Sequence, residues 1–489
     1  MLLIKKNKVE IIFYIFFKFI LNKILGREGD VLPAHILKKI DKNIFDDFAG
    51  YVASCSIPVI IVTGTNGKTT TANLIAETLK SAGKNVCSNS NGANMPNGIF
   101  GAIIGNFKFS GLRNSMRHGH TVKFPADFIV IESDEKVFPY IASKLNPDVI
   151  VITNFYRDQL DRYGEVNTTV FEIKKAVKSL SDNTLLVLPS FEPLASFIGY
   201  GVKNRKIYYG FNKDFFSGIS SINVNKNRTV KYLTKTALMD ALTCPGCGDI
   251  LVTNRGLNEN SLLLNFQCEK CGFMNYNPDI YAVCDNLEGI KIISHNETDG
   301  VLVFKPVLTG DYNVANYLAA YSVLRNFKID DNIIKPSFEN FETKFGRSFK
   351  KIIKNFEINI DLVKNPAGFN HVLEKITGNS GDYSYPINIL FAFSDRDADG
   401  RDVSWIWDVE FEKYIENIGE IMITGRRPFD LAVRLKAAGI DKNNITVEHN
   451  LKKAVKKIFK IAGRQNPSDK KIYILPTYTE LLRLKKYII

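Results

Sequence analysis

IPVIIVTGTNGKTTTANLIAETLKSAGKNV, residues 57–86, decides how the rest of the chain is read. A buried apolar strand, a glycine turn and an amphipathic helix follow one another, which is the setting a phosphate-binding loop requires. Gly64 and Gly67, with Thr65 and Asn66 between them, let backbone N–H groups approach phosphate closely. Lys68 adds a mobile cation at the positive end of the helix, and the Thr69 hydroxyl, followed by Thr70, can ligate Mg2+. The segment predicts nucleotide binding.

Further strands appear in the order of an α/β sheet. DFIVIESDE (127–135) is an apolar strand ending in Glu132, Asp134 and Glu135, and DVIVITNFYRDQLDRYGE (148–165) is another that opens into a polar loop. Ligands of open parallel sheets gather at the carboxyl ends of strands. Glu132 is therefore a candidate Mg2+ ligand, against the alternative that these acids cap the next helix.

The chain has 489 residues, 45% of them hydrophobic, so it can form two or three folded domains and is too apolar for disorder to dominate. Its 64 basic and 51 acidic residues leave a net charge of +13. That balance favours an anionic partner such as nucleotide, phospholipid or nucleic acid without choosing among them. Residues 9–25 read as an amphipathic helix broken by Lys18, Asn22 and Lys23 before it reaches membrane-spanning length, and no small-residue cleavage site follows. Docking on the protein's own body and a membrane-surface role both stay open for it.

The motifs together resemble the central domain of the Mur ligases, which activate a carboxylate with ATP and couple it to an amine. The likeness rests on GTNGKTT, the strand-terminal Glu132, TNFYRDQLDRYGE, GDYNVANYLAAYSVL (310–324) and KFGRSFK (344–350), in the family's order. It implies adenine contact for Asn316, with Asn313 one turn earlier, and contact with the ATP phosphates for Arg347. The chain departs from that pattern at Gln159, where many members carry a metal-binding histidine, and at Lys364, where His-Asn-Pro is usual. Only about 55 residues precede the phosphate loop, too few for the usual N-terminal substrate domain.

Four cysteines narrow the resemblance. Cys244, Cys247, Cys268 and Cys271 lie in two Cys-x-x-Cys knuckles, the spacing of a zinc ribbon, and four thiolates would close the shell around a structural Zn2+. Cys55, Cys87 and Cys284 read as core residues beside apolar strands. A Mur-like centre with an inserted ribbon is similar to the MurT family, the ligase subunits of lipid II isoglutaminyl synthase. From this likeness the fold class is α/β. A central P-loop domain (51–343, ribbon about 240–278) follows a lead-in segment (1–50) and precedes a smaller Rossmann-like domain (344–489). The resemblance implies ATP, Mg2+ and Zn2+ as cofactors. It also implies a lipid II substrate, a GatD-like glutaminase partner in a heterodimer, and a cytoplasmic location that includes the inner face of the cell membrane.

None of Cys55, Cys87 and Cys284 lies in a Gly-x-Cys-x-Gly elbow, and the six histidines show no recognisable pairing with a cysteine. Glutamine hydrolysis therefore falls to a partner. SDRDADGRDVSWIWD (394–408) gathers five aspartates with Trp405 and Trp407, an interface-like mixture. In the MurT family an aspartate of this loop completes the glutaminase triad across the subunit boundary, and the role carries onto Asp402, with Asp399 and Asp408 as alternates. The bland alternative has the tryptophans packing the core and Asp395 and Asp397 capping turns, and strand alternation would put both indoles on one face. Arg426 and Arg427 read equally as substrate contacts or surface residues. A stand-alone Mur-type amino acid ligase and a zinc-ribbon nucleic-acid ATPase are the rival functions. The first would ignore glutamine, and the second lacks basic-aromatic interleaving in its ribbon.

Overall fold

The computed structural model describes residues 14, 31–89, 92–110, 121–156, 166–211, 243–255, 264–285, 289–294, 301–308, 310–341, 348–353, 355–377, 387–396, 399–463 and 471–488. They fall into two compact units whose main division follows Phe341.

In the first unit, α1 (Val31–Ile40) and α2 (Ile44–Ser54) precede β1 (Val59–Thr63), α3 (Lys68–Ser81), β2 (Val86–Ser88) and α4 (Pro96–Gly105). An antiparallel pair, β3 (Lys108–Ser110) and β4 (Thr121–Lys123), leads to β5 (Phe128–Glu132), α5 (Phe138–Leu145), β6 (Val149–Ile152) and α6 (Val166–Ser179). Next come β7 (Leu185–Pro189), α7 (Pro193–Gly199) and β8 (Lys206–Phe211), then the pair β9 (Val252–Arg255) and β10 (Leu264–Gln267). Strands β11 (Ile280–Asp285), β12 (Gly289–Ser294) and β13 (Val301–Phe304) and helices α8 (Asp311–Asn326) and α9 (Asp331–Glu339) complete the unit.

Nine strands form its sheet in the order β13-β12-β11-β8-β7-β6-β1-β5-β2. All neighbours from β2 to β11 pair in parallel, and β12 and β13 add an antiparallel edge. β1, β5, β6 and β7 are buried along their whole length, as strands covered on both faces must be. Ile60 and Val62 of β1 share a core with Leu74, Ile75 and Leu79 of α3 and with Leu318, Tyr321 and Leu324 of α8. That packing brings the start of α8 beside the glycine turn. α1 packs on α4, and α2 stacks Phe45 on Phe100 at 4.4 Å. Of the N-terminal segment only Tyr14 is described; it is fully buried and its hydroxyl donates to the Gly101 carbonyl at 2.7 Å, so at this residue the segment docks on the protein's own body. No helix among the described residues is long and apolar enough to cross a membrane.

The second unit runs β14 (Ser348–Ile353), β15 (Phe356–Asp361), α10 (Pro366–Thr377), β16 (Ile387–Phe393), β17 (Ile418–Gly425), α11 (Pro428–Ala437), β18 (Ile445–Val447), α12 (Leu451–Ala462), β19 (Lys471–Pro476) and α13 (Tyr478–Ile488). Its sheet order is β14-β15-β19-β16-β17-β18, parallel except for β14. Side chains alternate along the strands and split the core in two. Ile389, Phe391 and Phe393 face α10 and α11, while Leu390 and Ala392 face α12 and α13.

Two expectations change here. Residues Ser404–Asp408 form a short 3-10 helix, not a strand, because Asp402 accepts hydrogen bonds from the Ser404 N–H at 2.8 Å and the Ser404 hydroxyl at 2.9 Å and so starts a helical turn. At three residues per turn the indoles diverge: Trp405 packs on Phe369 and Phe393, and Trp407 is 53% exposed. Cys87 is buried in β2, but Cys55 is only half-buried because it sits at the C-terminal cap of α2. Cys284 lies in β11.

Candidate active site

The turn between β1 and α3 is shaped by its glycines. Gly64 has φ +121° and Gly67 φ +85°, values that favour glycine, and a Cβ on Gly64 would run into Thr153 and Asn154. Asn154, just past β6, holds the turn from outside: its carbonyl accepts from the Thr65 N–H at 2.8 Å, and its amide bonds both the N–H and the carbonyl of Asn66. A Cβ on Gly67 would meet Asn316. Asn316 and Asn313 sit in the first turns of α8, where the Asn316 carbonyl accepts from Thr71 at 3.2 Å and its amide donates to Asn313 at 3.3 Å. The two asparagines therefore seat α8 on the phosphate-loop helix.

Lys68, 3% exposed, donates to the carbonyls of Gly64 and Thr65 and pairs with Glu135 at 3.1 Å. Thr69 donates its hydroxyl to Glu132 Oε2 at 2.7 Å. Glu132 is buried at the end of β5, next to β1 in the sheet, which is why a residue 63 positions away in sequence reaches the first turn of α3. Asn89 fixes its backbone through two 2.8 Å bonds, and Asn94 donates to its other carboxylate oxygen at 3.3 Å. A hydroxyl and a carboxylate converging beside an uncapped helix N-terminus are hard oxygen donors that fit Mg2+. Thr70 lies half-buried on the same first turn.

Gly64, Thr65, Asn66, Gly67, Lys68, Thr69, Thr70, Glu132, Asn313 and Asn316 thus come together in one place. Arg347, Gln159 and Asp397 lie outside the described residues. Sequence reading missed Asn89, Asn94 and Asn154 as supports. The signal available was the Asn/Gly run NSNGANMPNGI and the Thr-Asn step after β6.

The cysteines converge as their spacing predicts. All four thiol sulfurs lie within 4.8 Å of one another, with Cys244–Cys271 at 3.5 Å and Cys247–Cys268 at 3.4 Å. Ligands about 2.3 Å from a tetrahedral centre stand about 3.8 Å apart, so the set fits one zinc ion. The ribbon rests on the end of α7, where Phe273 packs on Phe197 and Tyr200. There Lys174 of α6 lies 3.5 Å over the Phe197 ring and donates to the carbonyls of Phe197 and Tyr200. Burial, with Lys178 and Lys206 nearby, pushes its pKa down to about 7.

In the second unit the acidic loop divides its labour. Asp399 is 5% exposed and reaches across to α13, accepting from the Thr479 N–H at 2.8 Å and from the Thr479 hydroxyl. Burial raises its pKa above the usual carboxylate range, against those hydrogen bonds. Asp395 pairs with Arg426 and Arg427, and Arg427 is further held by Asp430, so both arginines are engaged with the protein's own acids. Asp402 bonds only within its own turn, to Ser404, among the contacts described, and is not fully buried; Asp408 is exposed.

Comparison with known proteins gives two family matches: Mur ligase middle domain over residues 62–324 and MurT ligase C-terminal over residues 362–481. The chain is 31% identical over 463 residues to the lipid II isoglutaminyl synthase (glutamine-hydrolyzing) subunit MurT of Staphylococcus aureus (strain COL), covering 94% of this chain and 93% of that protein. Against the Streptococcus pneumoniae (strain ATCC BAA-255 / R6) subunit of the same name it is also 31% identical, covering 96% and 94%. Among solved structures, a pseudomurein peptide ligase type C from Methanothermus fervidus shares the fold with a TM-score of 0.60 at 20% identity, over 92% of this chain and 84% of that one.

Proposed function

The chain belongs to the MurT family, and from that premise we propose that it is the ligase subunit of a lipid II isoglutaminyl synthase, amidating the D-glutamate α-carboxylate of the lipid II stem peptide with ammonia delivered by a GatD-like glutaminase. The observation that carries the reading is the convergence of Lys68, Thr69 and Glu132 at the glycine turn of a chain that is MurT-like over nearly its whole length. The Gly64–Gly67 backbone at the N-terminus of α3 would cradle the ATP phosphates, and adenine recognition would stay with Asn313 and Asn316. Lys68 exchanges its partners at the turn for the γ-phosphate, and Thr69 and Glu132 would hold Mg2+, which would supply charge neutralisation during transfer.

A substrate carboxylate oxygen then bonds to the γ-phosphorus as the bond to ADP breaks, giving an acyl phosphate. Ammonia attacks its carbonyl carbon, the carbon–oxygen bond to phosphate breaks, and the amide forms with loss of a proton. Asp402 orients the histidine of the partner's cysteine-histidine pair, while the four-cysteine ribbon holds Zn2+ in a structural role.

The test is amidation of lipid II by the chain co-purified with a candidate glutaminase, supplied with glutamine or with ammonium. Wild type should use both donors, and Asp402→Asn should use ammonium only. A wild-type complex inactive with both donors would overturn the reading. Equal loss with both donors in the Asp402 variant would move the acidic loop from the partner's triad to the ligase site or the fold.

A further inference from the structure

The two helical layers of the second unit differ in charge. On one side α10 and α11 lie beside Asp402, Asp408 and the exposed Trp407, with Glu410 paired to Lys413 and Glu412 to Arg434, so acids and cations are mixed. On the other, α12 and α13 bury Leu451, Val455, Ile458, Leu481 and Leu484 in one shared core, so their outer sides face the same way. The outer side of α12 carries Lys452, Lys453, Lys456, Lys457 and Lys460, and the helix contains no acid. α13 adds Arg483, Lys485 and Lys486, and its only acid, Glu480, is fully buried and bonded to Arg483. Glu448, just before α12, answers Lys457 at 2.7 Å. α13 also exposes two large apolar side chains, Leu482 at 43% and Tyr487 at 46%.

We infer that the outer side of α12 and α13 is a membrane-docking face that binds anionic phospholipid headgroups. Eight cations, of which only Lys457 and Arg483 answer an acid, and two protruding apolar groups form the pattern that lies flat on an anionic bilayer, cations among the phosphates and Leu and Tyr at headgroup depth. Leu482 and Tyr487 add apolar contact beside the lysines, whereas a nucleic-acid surface would call for aromatic rings spaced to stack bases. The occupant also follows from the proposed function, on which this inference rests: a substrate held in a bilayer must be met at its surface, and no described helix spans one. The face is independent of residues 9–25, whose described residue, Tyr14, is buried in the protein.

Sedimentation of the full chain with phosphatidylglycerol/phosphatidylcholine vesicles, and with pure phosphatidylcholine vesicles, reads the inference directly. Wild type should favour the anionic vesicles by more than about 10-fold and release them in 1 M salt. The Lys452→Glu, Lys453→Glu, Lys456→Glu triple variant should bind at least about 100-fold more weakly, and its Lys→Gln counterpart should fall between. Leu482→Ser with Tyr487→Ser should weaken binding about 10-fold. On detergent-dispersed lipid II with ammonium, all variants should keep wild-type turnover, which shows that they are folded. Equal binding to neutral vesicles, undiminished binding by the triple variant, or retention on duplex RNA but not on vesicles overturns the inference. Vesicle binding is read without turnover, so a wild type that binds anionic vesicles but cannot amidate lipid II sinks the functional reading and leaves the face standing.

Discussion

A fully buried parallel strand runs into a glycine-bearing loop after β1 and again after β16, and the two loops are built in opposite ways. Gly67 and Gly400 even share a φ angle, +85° and +86°. At the first loop no side chain caps α3, and the groups around it are a lysine, a threonine and a buried glutamate from the next strand. At the second, the loop's own Asp399 bonds the first turn of α13, in the position where a phosphate would sit at an uncapped helix. One loop is arranged to receive an anion and the other supplies its own. Among the described residues of this crossing Asp399 takes that place, and the loop presents Asp402 and Trp407 at the surface.

The largest effect should come from removing the cation of the first loop. Lys68→Ala is expected to lower amidation on the order of 10^4-fold with glutamine and with ammonium alike, because phosphoryl transfer precedes either source of nitrogen. Steady-state rates with the two donors check it, and retained activity with either would remove the phosphate loop from the mechanism. Asp402→Asn is the matching change in the second loop: glutamine-dependent turnover should drop about 10^3-fold while ammonium-dependent turnover stays within about twofold. That split separates the loops by function as their hydrogen bonds separate them by structure.

The glycines test whether a shared backbone angle means a shared role. In Gly67→Ala the new Cβ meets Asn316 as well as paying the left-handed backbone strain, so KM for ATP should rise roughly 10- to 100-fold with both donors. Gly400→Ala carries the same strain in a loop without nucleotide and should cost a few-fold, with glutamine only. Matching ATP effects from both variants would mean that the two loops do not differ in function.

How far the sequence told these loops apart depends on the range of the interactions. The strand, glycine turn and helix were readable because they are contiguous, with GTNGKT between them within 30 residues, and the four-cysteine cluster was readable because metal-ligand spacing is itself local. Glu132 followed from the rule that sites collect at strand ends. The supports Asn89, Asn94 and Asn154 were not singled out, since an asparagine that holds a loop has no spacing signature and acts only once β5 and β6 flank β1. The acidic loop was harder still. Five aspartates in fifteen residues look alike in sequence, and what sorts them is Thr479, eighty positions after Asp399, together with Arg426 and Arg427 just past the next strand. The 3-10 turn that parts the tryptophans likewise depends on Asp402 bonding Ser404, which alternation of residue types does not encode.

The smallest expected effect bears most directly on the contrast between a received and a supplied anion. Burial holds the Asp399 carboxyl above the usual carboxylate range although bonds from Thr479 pull it down. With the folded-state pKa above the unfolded one, the folded protein binds the proton more tightly, so this group's contribution is full at low pH and is lost as pH rises through the folded pKa. Asparagine in the same place has no proton to lose. Thermal unfolding of the full chain should therefore show the Tm difference, Asp399→Asn minus wild type, growing by about 1–3 °C as pH goes from 4 to 7. A difference that shrinks instead would mean that the bonds to the ionised carboxylate outweigh its burial. The second loop would then be organised around an anion as favourably as the first is organised to bind one, and the two would differ only in where the charge comes from.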